Sequence, residues 1–157
     1  ICNYPFHRSA SKKCLFEQLL IEGKVECEVY PMGTYAEKMR AAGAGIPAFY
    51  TPTGVGTYVE EGKEKKVFNG KECLLELALP LDFGFIRAWK ADTLGNVVFR
   101  KTAVNFNMDT ARAAKITVVE AENVVEPGEL DPECIHLPGI YVDRVVKVER
   151  QKINVGI

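Results

Sequence analysis

Apolar residues recur at helical spacing from Leu15 to Ile21, and Gly23 follows where a helix would end. That spacing predicts a helix over 15–21. From Lys24 to Tyr30 the period changes to two, with Val25, Cys27 and Val29 on one face and Glu26 and Glu28 on the other. Such alternation predicts a half-buried strand. Pro31-Met32-Gly33 interrupts it, and Thr34 with Glu37 has the spacing of a capping box. A helix is therefore expected to start at Thr34, run from Tyr35 to about Ala42 and close at Gly43. A helix that follows a strand through a tight loop makes Pro31 to Thr34 the first place to look for a ligand, because ligands gather at strand ends beside helix N-termini.

Ala48-Phe49-Tyr50 leads into the turn-rich stretch Thr51 to Gly56. Between Lys63 and Leu79, Asn69-Gly70 separates two strand-like runs, and Asn-Gly suits the positive φ angles of a type I′ hairpin turn. Phe83 to Ala91 reads as a strand, Asp92 to Asn96 as a turn and Val97 to Lys101 as the returning partner. Asp109 to Lys115 is expected to be a short helix, Ile116 to Val119 a buried strand and Ile140 to Val148 the last strand, after a turn at Glu126-Pro127-Gly128. Strands outnumber helices in mixed order, so the fold class expected is α/β, in a single domain over 157 residues. Residues 1–14 read as irregular and 149–157 as a tail.

Composition narrows the function classes. Lys and Arg number 20 against 21 Asp and Glu, a net charge of −1, which offers no basic footprint for nucleic acid. No apolar run approaches the ~20 residues of a membrane helix, so no membrane partner is expected. The chain opens at Ile1 with no initiator Met and no leader pattern, from which we expect that something upstream is absent. Five scattered cysteines without a CxxC read as thiols of a reducing compartment. The expected location is the cytoplasm, or alternatively the mitochondrial matrix.

The chemistry-bearing residues are sparse. His7 and His136 are the only histidines and no cysteine stands at ligand spacing, so no metal is expected. The serines are Ser9 and Ser11 alone, outside any nucleophile elbow. Gly43-Ala44-Gly45 through Ala48 matches a dinucleotide fingerprint formally, but it closes a helix and so reads as a C-cap and turn. Glu60-Glu61 and Lys63 to Lys66 read as a solvated arm, Trp89 as core, and Asp143-Arg144 as a cross-strand or interface pair.

One longer pattern is more specific. Gly33-Thr34, Ala36-Glu37, Arg40-Ala41 and the run Gly43-Ala44-Gly45-Ile46-Pro47-Ala48-Phe49-Tyr50-Thr51-Pro52-Thr53-Gly54 resemble the α subunit of family I (3-oxoacid) CoA-transferases. The resemblance continues through Phe68-Asn69-Gly70, Arg87-Ala88-Trp89-Lys90-Ala91-Asp92, Asn105-Phe106-Asn107 and His136 to Arg144, and spans Phe16 to Val148. It implies the mixed sheet with helices shared by CoA-transferases and sugar-phosphate isomerases. It further implies a ping-pong transfer of CoA from succinyl-CoA or another acyl-CoA to a 3-oxoacid such as acetoacetate, through a glutamyl-CoA thioester. Coenzyme A is then a substrate, and no cofactor is expected. The nucleophilic glutamate belongs to a β subunit or a fused second half, so no catalytic residue is expected in this chain, and Glu60, Glu61, Glu120 and Glu122 are not candidates.

Three departures from the family pattern shape the expectations. The family's N-terminal strands and Gly-Gly-Phe motif have no counterpart, so the chain is expected to be the C-terminal two-thirds of an α subunit. Of a Tyr-Val-Gly-Glu-Asn-like stretch only Tyr4 finds a match, and Tyr4 and Tyr50 are the expected substrate contacts. The family's Pro-Gln-Gly-Thr is Pro31-Met32-Gly33-Thr34 here, which puts Met32 and Gly33 at the oxyanion and acyl-pocket position. A methionine cannot donate the hydrogen bond that the family's glutamine supplies. A non-catalytic chain of the same fold, with a structural or pairing role, is the alternative.

Overall fold

The structure is a computed structural model that describes residues 1–2 and 13–149. Helix α1, Leu15–Ile21, ends as expected. Gly23 adopts φ 67°, the Gly23 N–H donates to the Leu20 carbonyl and the Lys24 N–H to that of Leu19, the paired bonds of a Schellman cap. The Lys24 to Tyr30 strand does not form. A strand exists only through a partner's ladder, and among the described residues this segment meets only an isolated parallel bridge from Cys2 to Val29. Helix α2, Met32–Gly43, begins two residues before Thr34. Its C-terminus repeats the Schellman pattern, with Gly45 at φ 70° and the Ile46 N–H on the Ala41 carbonyl. The Gly43-Ala44-Gly45 motif is thus a helix cap.

Two compact units follow from the chain's internal contacts, one of residues 1–38 and 48–77, the other of 39–47 and the residues from 78 on. The first holds a three-stranded antiparallel sheet in the order β1-β3-β2, formed by β1 (Ala48–Thr51), β2 (Lys65–Phe68) and β3 (Lys71–Leu77). Asn69 at φ 50° and Gly70 at φ 76° make the expected hairpin turn and pair Phe68 with Lys71.

The second unit is built on a four-stranded sheet in the order β5-β4-β6-β7. Its strands are β4 (Leu81–Asp92), β5 (Val97–Val98), β6 (Ala114–Val125) and β7 (Arg144–Lys147). Strands β4, β6 and β7 run parallel, and helix α3 (Asn107–Ala113) lies in the connection from β4 to β6. Ile86, Ala88, Val119 and Ala121 face Ala111, Val97, Phe99 and Leu137 in the core. Gly84 lets α3 come close, since a Cβ there would lie 3.0 Å from the Ala114 Cβ and 3.1 Å from the Thr110 carbonyl. The opposite face of β4 carries Phe83 and Phe85, and Phe85 is 70% exposed.

Several boundaries differ from the sequence reading. Strand β5 stops after two residues because the chain turns away, with Lys101 at φ 56°. Strand β6 is three times as long as expected, 12 residues, because β4 offers it a continuous parallel partner from Leu81 to Asp92. Residues 139–141 form a 3-10 turn, so β7 starts only at Arg144. Asp143, just before β7, accepts from the Thr117 N–H of β6 at 2.7 Å, a contact across to the neighbouring strand. Trp89 is half-buried on the outer face, with the Lys90 Nζ 4.7 Å and the Arg100 guanidinium 5.5 Å from its ring centre. No described helix is long and apolar enough to cross a membrane.

Candidate functional site

The expected oxyanion position lies at the start of α2. The Tyr35 N–H donates to the Pro31 carbonyl at 2.9 Å. The N–H groups of Met32, Gly33 and Thr34 therefore occupy the first turn, where a helix supplies no acceptor and its dipole favours negative charge. Met32 is the first helical residue, not a loop residue, and is 61% exposed. Gly33 is exposed beside it. Thr34, the expected cap, is buried inside the helix, and its hydroxyl finds no hydrogen-bond partner among the described residues. Starting the helix at Met32 moves Thr34 to the third helical position, where its side chain no longer reaches the end.

Tyr50 sits in β1 opposite Leu75. Its hydroxyl donates to the Glu64 carboxylate, and its ring centre lies 5.0 Å from that of Phe68. That hydrogen bond raises the Tyr50 hydroxyl above its ordinary pKa. Among the described residues the side-chain hydrogen-bond, ring and cation partners of Tyr50 lie on Glu64 to Phe68, and none is on the Met32 turn. Tyr4 lies outside the described residues. Among the described residues no group of His, Cys, Asp and Glu could hold a metal ion.

The sequence reading missed a buried charged cluster in the same unit. Lys38, on α2, and Lys63 both pair with Glu76 of β3, Nζ to carboxylate oxygen, at 3.1 Å and 2.5 Å. Lys63 therefore belongs to this cluster and not to a solvated arm. Both ammonium groups also face the Tyr30 ring, at 4.3 Å and 4.9 Å from its centre. The Tyr30 hydroxyl donates to the Glu28 carboxylate. Burial first, and that bond second, push the Tyr30 pKa well above the ordinary tyrosine value. The available signal was period two in β3, which puts Glu76 on the same face as the buried Leu74.

Tyr30 is a wall common to three cavities. Two, of about 260 and 280 Å³, also share Lys63, and Lys38 and Glu76 line the larger. A third, of about 360 Å³, is mostly apolar and runs from Pro31 past Gly54 to Tyr58 and Val59. The unit thus offers apolar space next to a helix N-terminus, beside a buried Lys38–Glu76–Lys63 cluster whose charges are paired.

Comparison with known proteins agrees with the pattern read from the motifs. The chain is 58% identical over 136 residues to a protein named as the A subunit of succinyl-CoA:3-ketoacid coenzyme A transferase from Helicobacter pylori (strain J99), covering 87% of this chain and 59% of that one. A protein named as the probable A subunit of the same transferase from Bacillus subtilis (strain 168) is 57% identical, with 84% and 56% covered. The chain thus spans less than two-thirds of these relatives' length. Among solved structures, an acyl-CoA transferase from E. coli O157:H7 (YdiF), in a thioester complex with CoA, superposes with a TM-score of 0.77. It is 26% identical, and the match covers 85% of this chain and 31% of that one. The family model described as Coenzyme A transferase matches residues 1–148, from the Cys2 bridge to the end of the parallel sheet, and this chain therefore belongs to the coenzyme A transferase family.

Proposed function

We propose that this chain is part of the α subunit of a 3-oxoacid CoA-transferase. The observation that carries the reading is the high identity to relatives named as the A subunit of such an enzyme, together with the A-G-I-P-A-F-Y-T-P-T-G run that caps α2 and forms β1. The substrates are an acyl-CoA such as succinyl-CoA and a 3-oxoacid such as acetoacetate, with coenzyme A as substrate rather than cofactor. The nucleophilic glutamate lies on a β subunit or a fused second half. Its carboxylate attacks the thioester carbonyl and becomes a glutamyl-CoA thioester, which the second acid takes over. The role of this chain is to wall the acyl group and to offer N–H groups of the α2 turn, Gly33 among them, to the oxygen on which charge develops. Tyr50 and Tyr4 belong to the substrate wall in this reading. The site is in the cytoplasm or the mitochondrial matrix.

Met32 favours a second reading, a non-catalytic pairing chain, because its thioether replaces the donor expected at that place. The full α chain, combined with its β partner, separates the two when assayed with succinyl-CoA and acetoacetate. Turnover by the assembly, and none by this chain alone, is expected. Turnover by this chain alone overturns the first reading, and an inactive, well-assembled complex supports the second.

A further inference from the structure

Two thiols on neighbouring backbone segments face each other in the first unit. The Cys2 and Cys27 Sγ atoms are 3.3 Å apart, and no disulfide joins them. The backbone explains the approach. Cys2 bridges to Val29 in parallel, its N–H donating to the Glu28 carbonyl and its own carbonyl accepting from the Tyr30 N–H, both at 3.0 Å. Cys27 precedes Val29 by two residues, so it falls on the side of the segment that Cys2 shares. The arrangement is specific to this pair. Cys14 and Cys134 are exposed elsewhere, and Cys73 is buried with its thiol on the Lys71 carbonyl.

We infer that Cys2 and Cys27 are an oxidation site at which a peroxide closes a bond between them. A disulfide has sulfurs about 2.0 Å apart, so the two Sγ atoms, already 3.3 Å apart, have little further to travel. Cys27 is the sulfur oxidised first, because it lines the cavity of about 260 Å³ beside Tyr30, Tyr58 and Lys63. Its thiolate takes an oxygen from peroxide, hydroxide leaves and gains a proton as water, and Cys27 becomes a sulfenic acid. The Cys2 thiolate then attacks that sulfur and expels a second hydroxide, which also leaves as water. Two thiols have lost two protons and two electrons, and peroxide has been reduced to two waters. The bond ties residue 2 to the segment that carries Tyr30, so oxidation stiffens the wall shared by the three cavities.

The full chain, oxidised with dilute hydrogen peroxide, alkylated and mapped by mass spectrometry, tests this. The expected result is one cross-linked species, lighter by two hydrogens, that holds the Cys2 and Cys27 peptides. Both cysteines should resist alkylation until a reductant is added, while Cys14 and Cys134 are alkylated throughout. The thermal midpoint should rise on oxidation, because a cross-link restricts the unfolded chain, and Cys27→Ser should abolish that rise. Alkylation of both Cys2 and Cys27 after peroxide, oxidation of Cys27 to sulfinic acid without a cross-link, or pairing of either with Cys14 or Cys134 would each overturn the inference.

Discussion

Lys38 and Glu76 meet at 3.1 Å with side chains only 6% and 2% exposed. An ion pair that deep sacrifices the hydration of both partners, and it persists only where geometry and further bonds compensate. Here the compensation is visible. Lys63 binds the second Glu76 oxygen, and the Tyr30 ring offers its face to both ammonium groups. The cluster ties Lys38 of α2 to β3 and holds Tyr30 in place as a cavity wall.

Removing the shared carboxylate should therefore cost more than removing one ammonium. In Glu76→Gln two cations lose their partner, one of them buried, and a loss of about 3–5 kcal/mol is expected. In Lys38→Met the carboxylate keeps Lys63, and the methionine stem still packs on Tyr30, so the loss should be clearly smaller. Urea unfolding of both variants checks the order. Equal losses, or a negligible one for Glu76→Gln, would show that the cluster is not the anchor described.

Alkaline pH should reach the same cluster through Tyr30. Its folded pKa is raised above the ordinary value of 10.0, first by burial and then by its bond to Glu28. The unfolded chain therefore loses this proton at a lower pH than the folded one. Stability from Tyr30 is fully present below pH 10 and falls as pH rises beyond it. Midpoints of denaturant unfolding, compared between about pH 8 and about pH 11 on either side of that value, should drop more in the wild type than in Tyr30→Phe. Identical drops would contradict the assignment.

Gly43, in the specific run, makes a prediction of opposite sign to ordinary helix chemistry. Replacing a helical glycine with alanine normally stabilises by roughly 1 kcal/mol. A Cβ on Gly43 would lie 2.7 Å from the Arg112 Cβ and 2.9 Å from its backbone carbonyl carbon and oxygen. Backbone cannot yield as a flexible side chain can, so Gly43→Ala should destabilise by about 1–3 kcal/mol. Thermal or urea denaturation gives the sign directly.

These residues also show what a sequence can reveal. Local chemistry was legible wherever one residue type decides the backbone, as at the Asn69-Gly70 turn and the glycine caps of α1 and α2. Alternation between Lys24 and Tyr30 was real, but a strand also needs a partner, and that partner is not encoded in the segment itself. The length of β6 depends in the same way on β4. The start of α2 beside Pro31 to Thr34 was legible too, since the proline and the residues after it are consecutive. The Lys38–Glu76–Lys63 cluster could not, because its members come from three segments and each looks like an ordinary surface charge.

Met32 carries the sharpest prediction for function. It begins α2 and is mostly exposed, so its side chain can be exchanged without disturbing a core. In the proposed transferase it stands where a side-chain amide would meet the developing oxyanion, and a thioether can only pack there. Met32→Gln in the full α/β assembly should therefore restore a donor used in the transition state. A preorganised donor of that kind is worth on the order of 10²–10³ in rate, about 2.7–4 kcal/mol. The gain should appear in kcat with KM little changed, because charge develops on that oxygen only as the reaction proceeds. Steady-state kinetics with succinyl-CoA and acetoacetate for the two assemblies measure it. An unchanged kcat in an active assembly would mean that the backbone N–H groups of the α2 turn already stabilise the oxyanion unaided. An assembly that stays inactive with the Met32→Gln substitution would favour a pairing role for this chain over a catalytic one.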